Sequence, residues 1–390
     1  MRIAIEGDHT LFPTGYGGQN RQLLTHLKAR GHEVACFAIQ HAVKPLEVEG
    51  ITTYSGFDTH AVRRSLHDFR PDVLIHNLDN WALISGQRTH RPMLPAVAAH
   101  REQDGGTTAL IHYSPVDTDA YPPAFVEAFK EADLALTTTK WGRDVQVRLG
   151  CPAEQIRVLY PGVDPELFTP EGSASLKPFD LPEDKPLVTC IGTNLGERKM
   201  FPLVMLAFKS YLEHYDKEAV LYLHTPEGHY KLEEFVKPLG IEGKMYARDA
   251  RGPISGAWGN TDAEMAQLYR ASACLLSMSN REGFDSPAAE AASCGTPVVL
   301  SDFPVRRELQ ALGKGYWRYL TTPSKQWFPI QYAMVWLADP DQAADTMAKA
   351  VRARGKGGVP ERLKWKNLAG ELEGYCETAC ERYAEKAPKA

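Results

Sequence analysis

E-G-F-D-S-P-A-A-E-A-A-S-C-G-T-P-V-V-L-S-D, from Glu282 to Asp302, follows the apolar run Cys274, Leu275, Leu276 and reads as loop, helix, turn and strand. Ser286 is a preferred N-cap, Pro287 suits the first helical position, and Gly295 with Pro297 ends the helix before the apolar strand Val298 to Leu300. A helix entered this way offers free N–H groups and a positive dipole end above the sheet, where a diphosphate fits. Glu282 lies in the loop and Glu290 in the opening turns. Two carboxylates eight positions apart can therefore face one crevice from different backbone elements, as contacts on a polyhydroxylated ligand require. Acidic residues in a first turn also favour the dipole without any ligand, so taken alone the pair carries both meanings.

The same alternation of strand and helix runs outward. Upstream, apolar runs at Ile3–Ile5, Val34–Ala38, Val73–Ile75, Ala109–Ile111, Leu134–Leu136 and Val158–Tyr160 alternate with helical patterns, which predicts a parallel sheet covered by helices. A second series has strands at Leu187–Ile191, Val220–Leu223, Lys244–Tyr246, Cys274–Leu276 and Val298–Leu300, with helices such as Pro202–His214 and Ala263–Ala271 between them. The Pro-, Gly-, Ser- and Asp-rich stretch Pro161–Pro186 reads as the linker. The expectation is an α/β protein of two Rossmann-like, doubly wound domains facing an interdomain cleft, since such sheets bind ligands at the carboxyl ends of their strands. The N-terminal domain spans 1–165 and the C-terminal domain 170–366, followed by a C-terminal helix, 367–390. Leu368, Leu372, Tyr375 and Ala379 give that last helix its apolar face.

A chain of 390 residues can bury two cores. Its net charge of −5 does not suggest a general polyanion binder, and the basic cluster Arg352, Arg354, Lys356, Arg362, Lys364, Lys366 reads as a solvated face. Seven cysteines without paired spacing argue for a reducing compartment. The N-terminus enters a strand at once, without a signal peptide pattern, and no apolar run reaches membrane-spanning length. The protein reads as cytoplasmic.

Three further constellations carry chemistry. After the strand ending near Ile191, G-T-N-L-G-E-R-K-M brings Asn194, Arg198 and Lys199 to a helix start, where two cations oppose the dipole and are better explained by an anionic ligand. After the first strand, G-D-H-T-L-F-P-T-G-Y-G-G carries Gly15, Gly17 and Gly18, which permit close backbone approach, ahead of a helix Gln19–Arg30. That loop lacks G-x-G-x-x-G spacing, which argues against a dinucleotide site. His112 ends the strand Ala109–His112, either as a hydrogen-bond donor to a ligand or as a satisfied core histidine. Asp117-Thr118-Asp119 spells D-x-D, a metal signature of a one-domain nucleotide-binding fold that would leave the second α/β half unexplained. No metal is expected.

The stretch from Glu282 to Val299 resembles the E-x7-E motif of retaining GT-B glycosyltransferases of family 4, whose wording is close to E-G-F-G-x-P-x-x-E-A-x-A-x-G-x-P-V-V. Glu282, Gly283, Phe284, Pro287, Glu290, Ala291, Gly295, Pro297, Val298 and Val299 match; Asp285 departs from the common glycine. V-L-Y-P-G-V-D-P-E-L-F, from Val158 to Phe168, matches the family's phrase at the domain junction, and the resemblance implies that the C-terminal helix, 367–390, crosses back to complete the N-terminal domain. The resemblance implies a nucleotide-diphosphate-sugar donor, UDP- or GDP-linked, with no cofactor required and no metal. It implies that Glu282 sits beside the donor sugar, Glu290 holds the ribose, and the backbone of Gly283, Phe284, Asp285 and Ser286 contacts sugar and diphosphate. Arg198 and Lys199, with Asn194, Gly17 and Gly18 nearby, would hold the phosphates, and His112 the sugar's outer hydroxyls. Asp8, His9, Tyr16 and Asp117 fall on the acceptor side, and Asp285 becomes the position for donor choice.

The expected reaction is same-face displacement onto an acceptor hydroxyl. A nucleotide-sugar epimerase of the related two-domain fold and a non-catalytic nucleotide-sugar binding protein are the alternatives. The acceptor is left open among a saccharide, a small molecule, a lipid-linked sugar, a protein and a modified nucleic acid.

Overall fold

The computed structural model describes residues 1–41, 44–80, 93–120, 123–248, 260–313, 317–320, 324–328 and 333–386. The chain divides into unit 1, Met1–Gly162 with Trp365–Ala390, and unit 2, Val163–Lys364.

Unit 1 runs β1 (Arg2–Gly7), α1 (Gly15–Ala29), β2 (Glu33–Ala38), β3 (Leu46–Val48), β4 (Ile51–Ser55), α2 (Thr59–Phe69), β5 (Val73–Asn77), α3 (Met93–Gln103), β6 (Ala109–Ser114), α4 (Pro123–Glu131), β7 (Leu134–Thr137), α5 (Lys140–Arg148) and β8 (Ile156–Val158). The sheet order is β3-β4-β2-β1-β5-β6-β7-β8, parallel except for β3 against β4. Its central strands β5, β6 and β7 are buried throughout, as a sheet covered on both faces demands. Thr14, Asp58 and Thr139 cap α1, α2 and α5 by accepting from Gly17, Ala61 and Gly142 N–H.

Unit 2 runs β9 (Leu187–Ile191), α6 (Phe201–His214), β10 (Val220–His224), α7 (Glu233–Leu239), β11 (Met245–Arg248), α8 (Asp262–Ala271), β12 (Cys274–Ser277), α9 (Ser286–Ser293), β13 (Val298–Ser301), α10 (Pro304–Leu312), β14 (Trp317–Leu320), the hairpin β15 (Ser324–Phe328) and β16 (Ala333–Leu337), and α11 (Pro340–Ala350). Its parallel sheet has the order β11-β10-β9-β12-β13-β14. The chain therefore winds outward one way from β9 and the other way from β12, and the loops after these two adjacent strands flank a topological switch point. The main core packs Val188, Phe201, Val204, Phe208, Leu221, Leu276 and Met347.

The chain then returns to unit 1 as α12 (Trp365–Lys386), which buries Trp365, Leu368, Ala369, Leu372, Cys376 and Ala379 and packs on α1, β5, β6 and β7. Among the described residues no helix is long and apolar enough to cross a membrane. All seven cysteines are free.

Several sequence expectations are corrected. The stretch 163–186 is packed and does not behave as a linker: Leu176, Phe179 and Leu181 join Leu187, Val220, Tyr222 and Leu268 in a second core of unit 2. Arg270 Nε fastens the same stretch by donating to the Ser173 carbonyl at 2.7 Å. Helix α1 starts at Gly15, so the three glycines lie inside its first turn. β8 ends at Val158, two residues short of the apolar run, because Pro161 has no N–H with which to extend the ladder. The β3–β4 hairpin was not anticipated. It turns on Glu49 (φ 51°) and Gly50 (φ 74°), a two-residue turn with both φ positive in which glutamate stands where asparagine or aspartate usually signals it. β14 and the β15–β16 hairpin were likewise unforeseen.

Leu372 is fully enclosed by unit 1. Leu372→Ala will weaken that unit by about 2–5 kcal/mol, the usual range for a buried leucine, read as an earlier unit 1 transition in guanidinium titration. An unmoved transition would mean that α12 is not part of the unit 1 core.

Candidate functional site

The loops at the switch point of unit 2 are held together by charge. Gly192 follows β9, and a Cβ there would lie 2.6 Å from Lys199 Cε, so glycine is what lets the lysine fold back over the strand end. Lys199 is buried and its Nζ donates to Glu282 Oε1 at 2.6 Å, while Arg198 donates to Oε2 of the same carboxylate. The Asn280 N–H also donates to the Arg198 carbonyl at 2.9 Å, which joins the two loops through the backbone. Arg198 and Lys199 lie three and two residues before α6, and Met200 in the left-handed region (φ 50°) makes the turn into the helix. Asn194 is buried and used internally: its side chain donates to the Tyr230 carbonyl (2.7 Å) and accepts from the Tyr230 N–H (3.0 Å).

The helix of the glutamate motif begins differently from expectation. Asp285 is the N-cap, in the left-handed region at φ 85°, so Ser286 is the first helical residue and Pro287 the second. Positive φ is the physical reason glycine suits this position. The Asp285 carboxylate does not point outward: Arg306, with no exposed surface, donates to its Oδ2 from Nε at 2.8 Å. At its other end α9 closes as expected. Gly295 takes φ 77°, and the N–H groups of Gly295 and Thr296 donate to the Ala292 and Ala291 carbonyls, a Schellman ending. Gly283 and the buried Phe284 lie between Glu282 and this cap.

The two glutamates sit in opposite environments. Burial alone would raise the Glu282 carboxyl, but the charges of Arg198, Lys199 and Arg306 and the hydrogen bond from Lys199 outweigh it and hold it well below the usual carboxylate range. Glu290, half-buried, is pushed up to about 8 by desolvation, with the Asp262 and Asp285 charges adding to it and the Tyr269 hydrogen bond opposing. Tyr269 Oη donates to Glu290 Oε2 at 2.8 Å. Titratable groups whose pKa values are driven apart in this way mark a candidate functional site.

In unit 1 the remaining candidates gather at the strand ends. Both Asp8 carboxylate oxygens are taken, by Thr14 Oγ1 at 2.5 Å and Gln40 Nε2 at 2.8 Å. The Tyr16 hydroxyl donates to Asp79 Oδ1 at 2.7 Å; burial first, then the charges of Asp79, Asp117 and Asp8, drive its pKa well above the ordinary value. His9 accepts from the Leu11 N–H at 3.1 Å, and burial, then the nearby His41, lowers its pKa. Gly17 is required by its own loop, since a Cβ would meet the Phe12 carbonyl at 2.3 Å; Gly18 faces open space. His112 is fully buried, 3.2 Å from Asn80 Oδ1 through Nε2 and stacked on His76, which bonds Glu6 Oε2 at 2.5 Å. Burial, then the His76 charge, keeps His112 neutral by lowering its pKa well below the ordinary value. Among the described residues no group of three or more His, Cys, Asp or Glu could hold a metal ion, and Asp117 and Asp119 join no such group.

Two family models match this architecture unit by unit. The one described as Glycosyltransferase Family 4 covers residues 15–167 and the one described as Glycosyl transferases group 1 covers residues 175–352. The chain belongs to glycosyltransferase family 4. Within the family, it is 30% identical to the D-inositol 3-phosphate glycosyltransferase of Mycobacteroides abscessus over 179 residues, 44% of this chain and 37% of that protein. The protein of the same name from Xylanimonas cellulosilytica is 27% identical over 187 residues, 44% of this chain and 40% of that protein. The matches thus span less than half the length of these curated relatives. Among solved structures, sucrose-phosphate synthase from Thermosynechococcus elongatus has a TM-score of 0.68 at 16% identity, covering 99% of this chain and all (100%) of that one. Anabaena HepE in complex with UDP and glucose has a TM-score of 0.64 at 16% identity, with 97% and 100% covered. The fold of this family 4 chain is GT-B, with two Rossmann-like units.

Arg306, Tyr269, Glu6, His76 and Asp79 escaped the reading of the sequence. Glu6 and His76 carried a usable signal, a charged or titratable residue at the end of an otherwise apolar strand. Arg306 and Tyr269 lie on helices with ordinary amphipathic spacing, and only the fold brings them to the motif.

Glu290 also fixes a pH dependence for this glycosyltransferase family member. Its folded pKa is raised from 4.5 to about 8, so the neutral acid is favoured by folding; that stabilisation is full below the unfolded value and is lost as pH rises through about 8. Glu290→Gln cannot ionise. Its thermal midpoint will fall less than that of the native chain between about pH 5 and about pH 8.5, and parallel curves would show Glu290 to be unperturbed.

Proposed function

We propose that the protein is a retaining glycosyltransferase that moves a sugar from a nucleotide-diphosphate-sugar, UDP-linked in the first instance, to an acceptor hydroxyl. The observation that carries this reading is the Arg198–Lys199–Glu282 cluster at the switch point of unit 2, directly before the α9 N-terminus. Two cations held by one carboxylate form a ready anion site: when a diphosphate arrives, Arg198 and Lys199 turn to its oxygens and Glu282 is released toward the sugar. The basic pair then neutralises the charge that grows on the departing diphosphate. The bond between the sugar's anomeric carbon and the phosphate oxygen breaks, the acceptor oxygen bonds to that carbon on the same face, and the acceptor proton passes to the departing phosphate oxygen. Glu282 stabilises the positive charge developing on the sugar ring.

Glu290, steadied by Tyr269, takes the ribose hydroxyls, and the backbone of Gly283, Phe284 and Ser286 takes sugar and diphosphate. His112 acts on the sugar's outer hydroxyls, and Asp8, His9, Tyr16 and Asp117 serve the acceptor. UDP is chosen because the Anabaena HepE complexes contain UDP and UDP-glucose. The acceptor class stays as broad as the sequence left it. The curated relatives are named for D-inositol 3-phosphate, which puts a phosphorylated polyol among the acceptors to be assayed.

A thermal-shift panel of UDP, GDP and ADP with their sugars is the first experiment; a ligand bound only by the folded chain raises its midpoint, and no shift with any of them would refute the donor reading. Lys199→Ala will lower kcat/KM for the donor by about 10- to 100-fold, the loss expected from one charge-assisted contact, and an unchanged value would remove Lys199 from phosphate binding. Because a ribose hydroxyl donates better to a carboxylate than to an acid, UDP will bind more tightly as pH rises through about 8, and Glu290→Gln will lose that trend.

A further inference from the structure

A fully buried arginine is uncommon and needs every donor used. Arg306 meets that requirement. Its Nε donates to Asp285 Oδ2 (2.8 Å), Nη2 lies 2.7 Å from the same oxygen and donates to Ser277 Oγ (2.5 Å), and Nη1 donates to the Ser277 and Ser301 carbonyls (3.1 and 3.2 Å). Its guanidinium carbon lies 4.6 Å from the centre of the Phe303 ring. One side chain thus ties the ends of β12 and β13 to the loop that carries the donor motif. Asp285 is the residue of that loop at φ 85°, a backbone conformation that glycine adopts freely and asparagine and aspartate adopt occasionally. Its carbonyl accepts from the Ala288 and Ala289 N–H groups, so it also starts α9. Glu282 stands three residues before it and Glu290 five after, and a rotation at residue 285 would re-aim both.

We propose that Asp285 and Arg306 are a positioning pair for the nucleotide-sugar donor, an ion pair that in this chain fixes Glu282 and α9 in their binding geometry at a position where glycine is common. The inference rests on the glycosyltransferase reading above. It revises the sequence expectation for Asp285: the carboxylate acts inward through Arg306, and its influence on the donor is exerted through the backbone. The fields agree with this placement, since Arg306 is among the charges that hold the Glu282 carboxyl down and Asp285 among those that hold the Glu290 carboxyl up.

Removing one partner leaves a buried charge and destabilises the chain, so the decisive variant is the double D285G/R306M, which keeps a residue suited to positive φ and refills the space with an apolar side chain. With UDP-glucose as probe, the folded double variant will show a donor KM raised about tenfold or more, while the acceptor KM stays within about twofold. D285N leaves the Arg306 charge without its counter-ion and will lower stability, but it keeps the hydrogen-bond acceptor and tolerates positive φ, so the folded variant will stay within about threefold of the native donor KM. A folded double variant with an unchanged donor KM, or one whose donor and acceptor KM rise together, would overturn the pairing while leaving the glycosyltransferase reading intact. A native protein that binds no nucleotide sugar overturns both.

Discussion

One carboxylate holding two cations is the constraint on which unit 2 is organised. Glu282 has almost no exposed surface, yet it is charged, and a buried charge persists only where it is paired and hydrogen-bonded. Arg198 and Lys199 supply that pairing from the neighbouring loop, and Gly192 supplies the room for it. The loop after β9 and the loop after β12 are therefore not independent. Their mutual charge, with the backbone bond from the Asn280 N–H to the Arg198 carbonyl, makes them one wall.

The second carboxylate of the motif obeys a different balance. Glu290 meets a phenol in place of a cation, and a single neutral donor does not offset desolvation, so the proton is retained to about pH 8. The motif thus contains one acid whose pKa is held down by cations and one whose pKa is pushed up by burial. This asymmetry arises from neighbours on other elements: Arg198, Lys199 and Arg306 for Glu282, and Tyr269 for Glu290.

What could be read in the sequence followed from periodicity and punctuation. The strands that frame the loops after β9 and β12, the two-unit α/β organisation and the Gly295 ending of α9 were all legible, because apolar runs of three to five residues between helical patterns and a left-handed glycine have few other uses. The short edge hairpin at 46–55 was not, because its turn contains no asparagine or aspartate and the strands are too brief to alternate clearly. At the site, Arg198, Lys199, Glu282 and Glu290 were legible as residue types, whereas their partners were not. Asp285 is instructive here: its departure from glycine was visible, but the compensating arginine lies 21 positions later, and helical spacing gave no reason to connect them. The stretch at 163–186 failed for the opposite reason, since its composition is that of a linker while Leu176, Phe179 and Leu181 insert into a core.

The route of the chain gives α12 a further meaning. Unit 1 closes only when residues 365–386 lie against α1, β5, β6 and β7, and every residue of unit 2 is made before them. On the ribosome, unit 2 is whole while the apolar surface of unit 1 that α12 will cover is still bare. The first unit to be started is the last to be finished, and its assembly waits on the length of the one inserted within it.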